Sequence, residues 1–160
     1  MAIAELGHMG FQVNDLDKMV DFYTRVLGLK VTDEAPQLGA VFLSSRPDVE
    51  HHELVLAKGR TAPLDTKLIN QVSWRVDSLE ALQTLYQALL AAQAPIHMVI
   101  THGNAIGVYF ADPEGNKSEI YWRTGLDVPQ PFGKPIDLTA PAAEVLGENQ
   151  RLIAAGGPAF

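Results

Sequence analysis

A stretch near the start of this chain returns, ungapped, 63 positions later, and few folds accept a tandem copy of that kind. His8-Met9-Gly10-Phe11-Gln12-Val13-Asn14-Asp15-Leu16-Asp17 aligns with Gln71-Val72-Ser73-Trp74-Arg75-Val76-Asp77-Ser78-Leu79-Glu80. The match runs on through Phe22-Tyr23 against Leu85-Tyr86 and Leu27 against Leu90, and a second pairing sets Glu53-Leu54-Val55-Leu56 against Glu119-Ile120-Tyr121-Trp122. Solenoid repeats have periods of about 20–50 residues, so a longer period points to one duplicated module.

Each copy reads alike. Residues 6–13 form an apolar strand, Asn14-Asp15 carry an N-cap signal, and Leu16, Met19, Val20, Tyr23, Val26 and Leu27 recur at helical spacing up to Gly28. Strand runs follow at Lys30–Thr32, Gly39–Ser44 and His52–Leu56. The second copy predicts a strand over 69–76, a helix over 79–93 and strands over 97–101, 106–111 and 117–122, with Asp112–Asn116 as a turn. Strand, helix and three strands, twice over, is an α+β fold of two tandem βαβββ modules. The expected domain is 1–124, with modules near 5–57 and 68–124 and a linker at 58–67. Beyond it, 125–160 reads as an extended tail with Pro129, Pro131 and Pro135, then a helix over 141–155. Such a tail suits a lid over a site or an arm on a partner subunit.

A formal net charge of −7 excludes attraction to nucleic acid or an anionic membrane. The absence of cysteine removes thiolate nucleophiles, disulfides and cysteine–zinc sites. The N-terminus shows no basic patch followed by an apolar run, and no apolar run is long enough to span a bilayer, so a cytoplasmic protein is expected.

The repeat sets His8, Gln71, Glu53 and Glu119 at two sets of equivalent positions. Packed about a pseudo-two-fold axis, all four could meet at one metal. Taken singly, His8 reads as a hydrogen-bonded structural histidine, and Gln71 and Glu53 as ordinary strand polar residues. Glu119 would be costly to bury without a cation. His51 and His52 point to opposite faces, because strand side chains alternate.

With this duplication and these residues, the chain resembles the vicinal oxygen chelate superfamily, whose members include glyoxalase I, extradiol dioxygenases, epimerases and fosfomycin-resistance proteins. The resemblance covers 6–122 and implies a curved mixed sheet around a divalent metal held by His8, Glu53, Gln71 and Glu119. The nearest likeness is to extradiol dioxygenases. Ile100-Thr101-His102, Val108-Tyr109, Asp112-Pro113-Glu114-Gly115 and Glu119 follow their signature, and His51-His52-Glu53-Leu54-Val55-Leu56 is similar to a strand common in them. The resemblance implies cleavage of a catechol-type aromatic, with His102 as acid/base, Tyr109 as hydrogen-bond donor, Fe(II) as metal and a homodimer as the assembly.

One position departs from that pattern. Extradiol enzymes ligate iron with two histidines and one carboxylate, and Gln71 stands where the second histidine belongs. The set His8, Glu53, Gln71, Glu119 is similar instead to glyoxalase I-like or epimerase-like isomerases and lyases, which use Ni, Zn or Mn as a Lewis acid. A metal-free ligand-binding protein of the resistance type is the third reading.

Overall fold

The computed structural model describes residues 6–67 and 69–157. Residues 1–5, part of the segment read above for a leader, lie outside the described residues. Two compact units divide between Thr66 and Lys67.

The first unit runs β1 (Met9–Val13), α1 (Leu16–Asp21), β2 (Lys30–Ala35), β3 (Ala40–Ser44) and β4 (Leu54–Lys58). Its sheet order is β1-β4-β3-β2, with β1 parallel to β4 and the other pairs antiparallel. The second unit repeats this with β5 (Val72–Val76), α2 (Leu79–Ala91), β6 (Ile96–Thr101), β7 (Ala105–Ala111) and β8 (Lys117–Arg123). There β5 is parallel to β8, while β8–β7 and β7–β6 are antiparallel. The fold is α+β, built of two βαβββ modules in tandem.

The predicted elements form for the reasons the sequence offered. Asp15 accepts from the Lys18 amide at 3.0 Å and Ser78 from that of Ala81 at 3.1 Å, so each helix starts on a side-chain cap. In the first unit Leu54 and Leu56 are fully buried with Val13, Met19, Tyr23 and Leu43. In the second, Ile106, Val108 and Phe110 alternate along β7 and are fully buried, as are Leu82 and Leu89 of α2. Helix α2 packs against β5 and β8. Each such side chain contributes roughly 1.5–3 kcal/mol through burial.

Three expectations are corrected. The first helix is α-helical only to Asp21 and continues as a π-helix over Phe22–Val26. The Thr24 hydroxyl donates to the Val20 carbonyl at 2.7 Å, competing for the acceptor an α-helical Thr24 amide would use. Strand β2 runs past Thr32 to Ala35 through a bulge between Val31 and Asp33. It is a sheet edge, where polar Asp33 and Glu34 hide the strand signal. Strand β4 begins at Leu54, so His51 and His52 precede it and strand alternation does not apply to them.

The tail folds back on its own unit. Lys134–Pro135 forms β9, pairing with β6 as the fifth strand, and α3 (Ala142–Ala155) follows. Gln83 of α2 donates to the carbonyls of Leu138 and Ala140, tying the tail to α2. Among the described residues no helix is long and apolar enough to cross a membrane.

Because the Ser78 cap satisfies an otherwise orphaned amide, Ser78→Ala should lower stability by about 1 kcal/mol while Ser78→Asp keeps most of it. Leu82→Ala should cost about 2–5 kcal/mol. Urea unfolding of the three variants checks both.

Candidate functional site

Strand pairing in the second unit concentrates polarity on one face. Ser73 of β5 lies opposite Glu119 of β8, and Tyr109 of β7 lies opposite it on the other side. Side chains alternate, so Glu119 and Tyr121 share this face while Ile120 turns to the other. A pocket of about 380 Å³ opens there, lined by Ser73, His102, Tyr109, Glu119, Tyr121 and Gln130 among others. That volume lies in the range of small-molecule sites.

Glu119 is only 7% exposed. Its Oε2 accepts from the Ser73 hydroxyl at 2.5 Å and from the Gln71 amide nitrogen at 3.2 Å, and the same amide reaches Ser73 Oγ at 3.0 Å. Among the described residues, these hydrogen-bond donors to Glu119 are all neutral. Its Oε1 lies over Gly107, where a Cβ would stand 2.8 Å from that oxygen. The missing side chain makes room for the carboxylate.

His102 is held in a definite tautomer. Its Nδ1 lies 2.8 Å from the Phe132 carbonyl, which can only accept, so Nδ1 carries the proton. In the neutral ring Nε2 is then the basic nitrogen, and it lies 3.3 Å from the Tyr109 hydroxyl. Burial, then the neighbouring Glu119 carboxylate, pushes the Tyr109 phenol well above its ordinary range. Tyr109 therefore stays a neutral donor at any physiological pH. Lys117 Nζ sits 5.2 Å from the centre of its ring.

The first unit carries the other two expected residues. The His8 ring stands 4.3 Å from that of His52, and His51 and His52 approach Nδ1 to Nδ1 at 2.9 Å. The two neighbouring histidines thus turn towards one another, correcting the opposite-face expectation. Burial, then His8 and His51, holds the His52 imidazole below its ordinary value. Glu53 accepts from the Ser45 amide at 2.8 Å, the Ser45 hydroxyl at 2.6 Å and Arg46 Nε at 3.0 Å. Burial alone would raise its carboxyl; those donors outweigh it and hold the group below the usual carboxylate range.

The register also corrects the equivalence of Glu53 with Glu119. Val55 stands opposite Gly10 and Phe42, as Glu119 stands opposite Ser73 and Tyr109. Glu53 lies two residues earlier. A slip of two preserves strand alternation, so the sequence pattern alone does not reveal it. The first unit's counterpart of the polar face is Gly10, Phe42 and Val55, which offers no ligand.

Gln71, Glu119, His102 and Tyr109 are therefore gathered in one unit, and His8 and Glu53 lie in the other, where Glu53 is engaged by Ser45 and Arg46. Within neither unit do three or more His, Cys, Asp or Glu side chains of the described residues cluster as a metal would require. Sequence reasoning missed Ser73, although its place two residues after Gln71 on one strand face was a usable signal. It also missed the contact of His52 with His8.

Comparison with known proteins identifies the family. Residues 5–120 match the family model of the glyoxalase/bleomycin resistance protein/dioxygenase superfamily. A 1,2-dihydroxynaphthalene dioxygenase of Pseudomonas sp. (strain C18) is 32% identical over 142 residues, which is 84% of this chain and 44% of that enzyme. A manganese-dependent 2,3-dihydroxybiphenyl 1,2-dioxygenase of Geobacillus genomosp. 3 is 30% identical over 75% of this chain and 37% of its own length. The chain thus spans less than half the length of these curated relatives. The solved fosfomycin resistance protein FosX of Listeria monocytogenes superposes with a TM-score of 0.62 at 17% identity, covering 77% of this chain and 96% of that one, a likeness of fold alone. On the duplicated modules and the family match together, the chain belongs to the glyoxalase/bleomycin resistance protein/dioxygenase superfamily.

Proposed function

We propose that this chain is a metal-dependent, extradiol dioxygenase-like enzyme acting on a small aromatic vicinal diol. The observation that carries the reading is Glu119, a buried carboxylate whose donors within its unit are all neutral, beside a histidine and tyrosine placed to handle a proton. Burying an unpaired charge is costly, and a divalent cation removes that cost. The fit is chemical as well as electrostatic. Carboxylate and amide oxygens suit Mn²⁺ and Fe²⁺, and Gly107 leaves room for Oε1.

In this proposal Glu119 and Gln71 of the second unit hold the ion. Glu53 stays outside the set because Ser45 and Arg46 already take both its oxygens. When bound, the metal supplies the Lewis acidity and electron relay that let a diol react with dioxygen. The protein's own groups do the rest. Nε2 of His102 takes a proton from one diol hydroxyl, and the Phe132 carbonyl keeps Nδ1–H directed away from the substrate. The Tyr109 hydroxyl, kept neutral by burial and Glu119, donates a hydrogen bond to a substrate oxygen. Tyr121 lines the same pocket and offers an aromatic wall to the ring. Named activities of the relatives support an aromatic diol as the substrate class.

A second reading has one observation in its favour. Gln71 replaces an expected imidazole with a neutral oxygen or nitrogen donor, which suits glyoxalase-like Lewis-acid chemistry better than iron redox chemistry. The engagement of Glu53 counts against it, since that chemistry would recruit all four ligands.

Anaerobic loading with Fe²⁺ or Mn²⁺, then 1,2-dihydroxynaphthalene or 2,3-dihydroxybiphenyl in air, should give a coloured ring-cleavage product. Turnover of a hemithioacetal with Ni²⁺ and none of either diol would select the second reading. His102→Ala should lower kcat by about 10²–10⁴-fold with metal content unchanged. Gly107→Ala should keep the fold, because the obstructed atom ends a side chain, yet weaken metal affinity by displacing Oε1.

Tyr109 also predicts a pH dependence. Between its ordinary value of 10.0 and the raised folded value, the unfolded chain loses this proton while the folded chain keeps it. Its contribution to stability is therefore complete below pH 10 and lost as pH rises beyond it. Unfolding measured from about pH 9 to about pH 11 should show a steeper loss in the wild type than in Tyr109→Phe.

A further inference from the structure

The loop that carries His102 is fastened from outside its own hairpin. Asn149 of α3 is 1% exposed and Thr101 fully buried. The Thr101 hydroxyl donates to Asn149 Oδ1, and Asn149 Nδ2 donates to the Gly103 carbonyl at 3.1 Å. Thr101 Oγ1 in turn accepts from the Gly103 amide at 2.8 Å. One buried amide thus grips the residues immediately before and after His102. Further contacts complete the grip: Thr124 Oγ1, just after β8, donates to the Gly103 carbonyl at 2.7 Å, and Gln130 Nε2 of the tail to the His102 carbonyl at 2.8 Å.

We propose that Asn149, 47 positions beyond His102 in the chain, is a positioning residue that fixes the His102 imidazole through Thr101 and Gly103. The proposal takes from the reading above only that His102 handles the proton. Docking of α3 does not by itself require an amide there. Val145, 1% exposed on the same helix, already supplies apolar burial. A buried amide is costly unless both its ends are satisfied. Here one end takes the Thr101 hydroxyl and the other the Gly103 carbonyl, so the polar cost is offset only when the His102 loop holds this conformation. Gly103 adopts a left-handed φ of +73°, and a Cβ there would meet Val128 at 2.8 Å. The loop is therefore clamped between the tail and α3, and the ring it carries keeps its Nδ1 on the Phe132 carbonyl.

The test compares Asn149→Ala and the near-isosteric Asn149→Asp with Val145→Ala, a packing control on the same helix. The readouts are the ¹⁵N NMR signals of the His102 side chain and steady-state kinetics on an aromatic diol. Both Asn149 variants should shift His102 from one Nδ1–H tautomer to a mixture and lower kcat about 10- to 100-fold with little change in KM. Val145→Ala should be destabilised yet keep the wild-type imidazole signals and kcat. Thr101→Val should behave like the Asn149 variants, and Thr101→Ser, which keeps the hydroxyl, like the wild type. The proposal is overturned if Asn149 and Val145 variants give the same imidazole spectrum, or if Thr101→Val is silent. If no variant and not even the wild type turns over a diol, a tautomer shift confined to the Asn149 and Thr101→Val proteins still sustains the positioning role, and the functional reading alone falls.

Discussion

A carboxylate buried among neutral donors is the constraint around which the second unit is arranged. Glu119 sits on β8, between β5 and β7 in the sheet, and each neighbour is matched to it. Ser73 and Gln71 approach from the β5 side, Tyr109 from β7, and Gly107 is empty where Oε1 lies. None of these partners offsets the charge. The apolar face of the same strands supplies the burial that holds this arrangement, through Ile106, Val108, Phe110 and Ile120. Stability on one face thus permits electrostatic cost on the other.

Duplication gave both units one topology, yet the chemistry is unequally divided. The three positions that read Ser73, Tyr109 and Glu119 in the second unit read Gly10, Phe42 and Val55 in the first. What the first unit offers instead is a histidine group, His8 with His51 and His52, packed near Phe42. The tail adds a further asymmetry, because β9 and α3 extend only the second unit and bind the loop that carries His102. In the functional reading, the second unit carries the carboxylate and the proton-handling groups.

How much was legible beforehand follows from which interactions are local. Helix caps at Asp15 and Ser78, the terminal helix and most strands were visible, since each depends on neighbours a few residues away. Membership of the superfamily was legible in the duplication and the residues it places at equivalent positions, and the likeness to dioxygenases in the motif from His102 to Glu119. Strand register was not, because a displacement of two residues leaves alternation intact, and Glu53 was matched to Glu119 where Val55 belongs. The pairing of His51 with His52 was missed because those residues precede the strand rather than lie in it. Asn149 was invisible for another reason. Its partner, Thr101, is 48 residues away, and no periodicity reports such a contact.

Anomalous diffraction from crystals grown with Mn²⁺ addresses the central claim most directly. The account predicts a single strong peak within coordination distance of the Glu119 carboxylate, shared with the Gln71 side chain. A protein that shows no peak at Glu119, with the carboxylate still held by Ser73 and Gln71 alone, would contradict it.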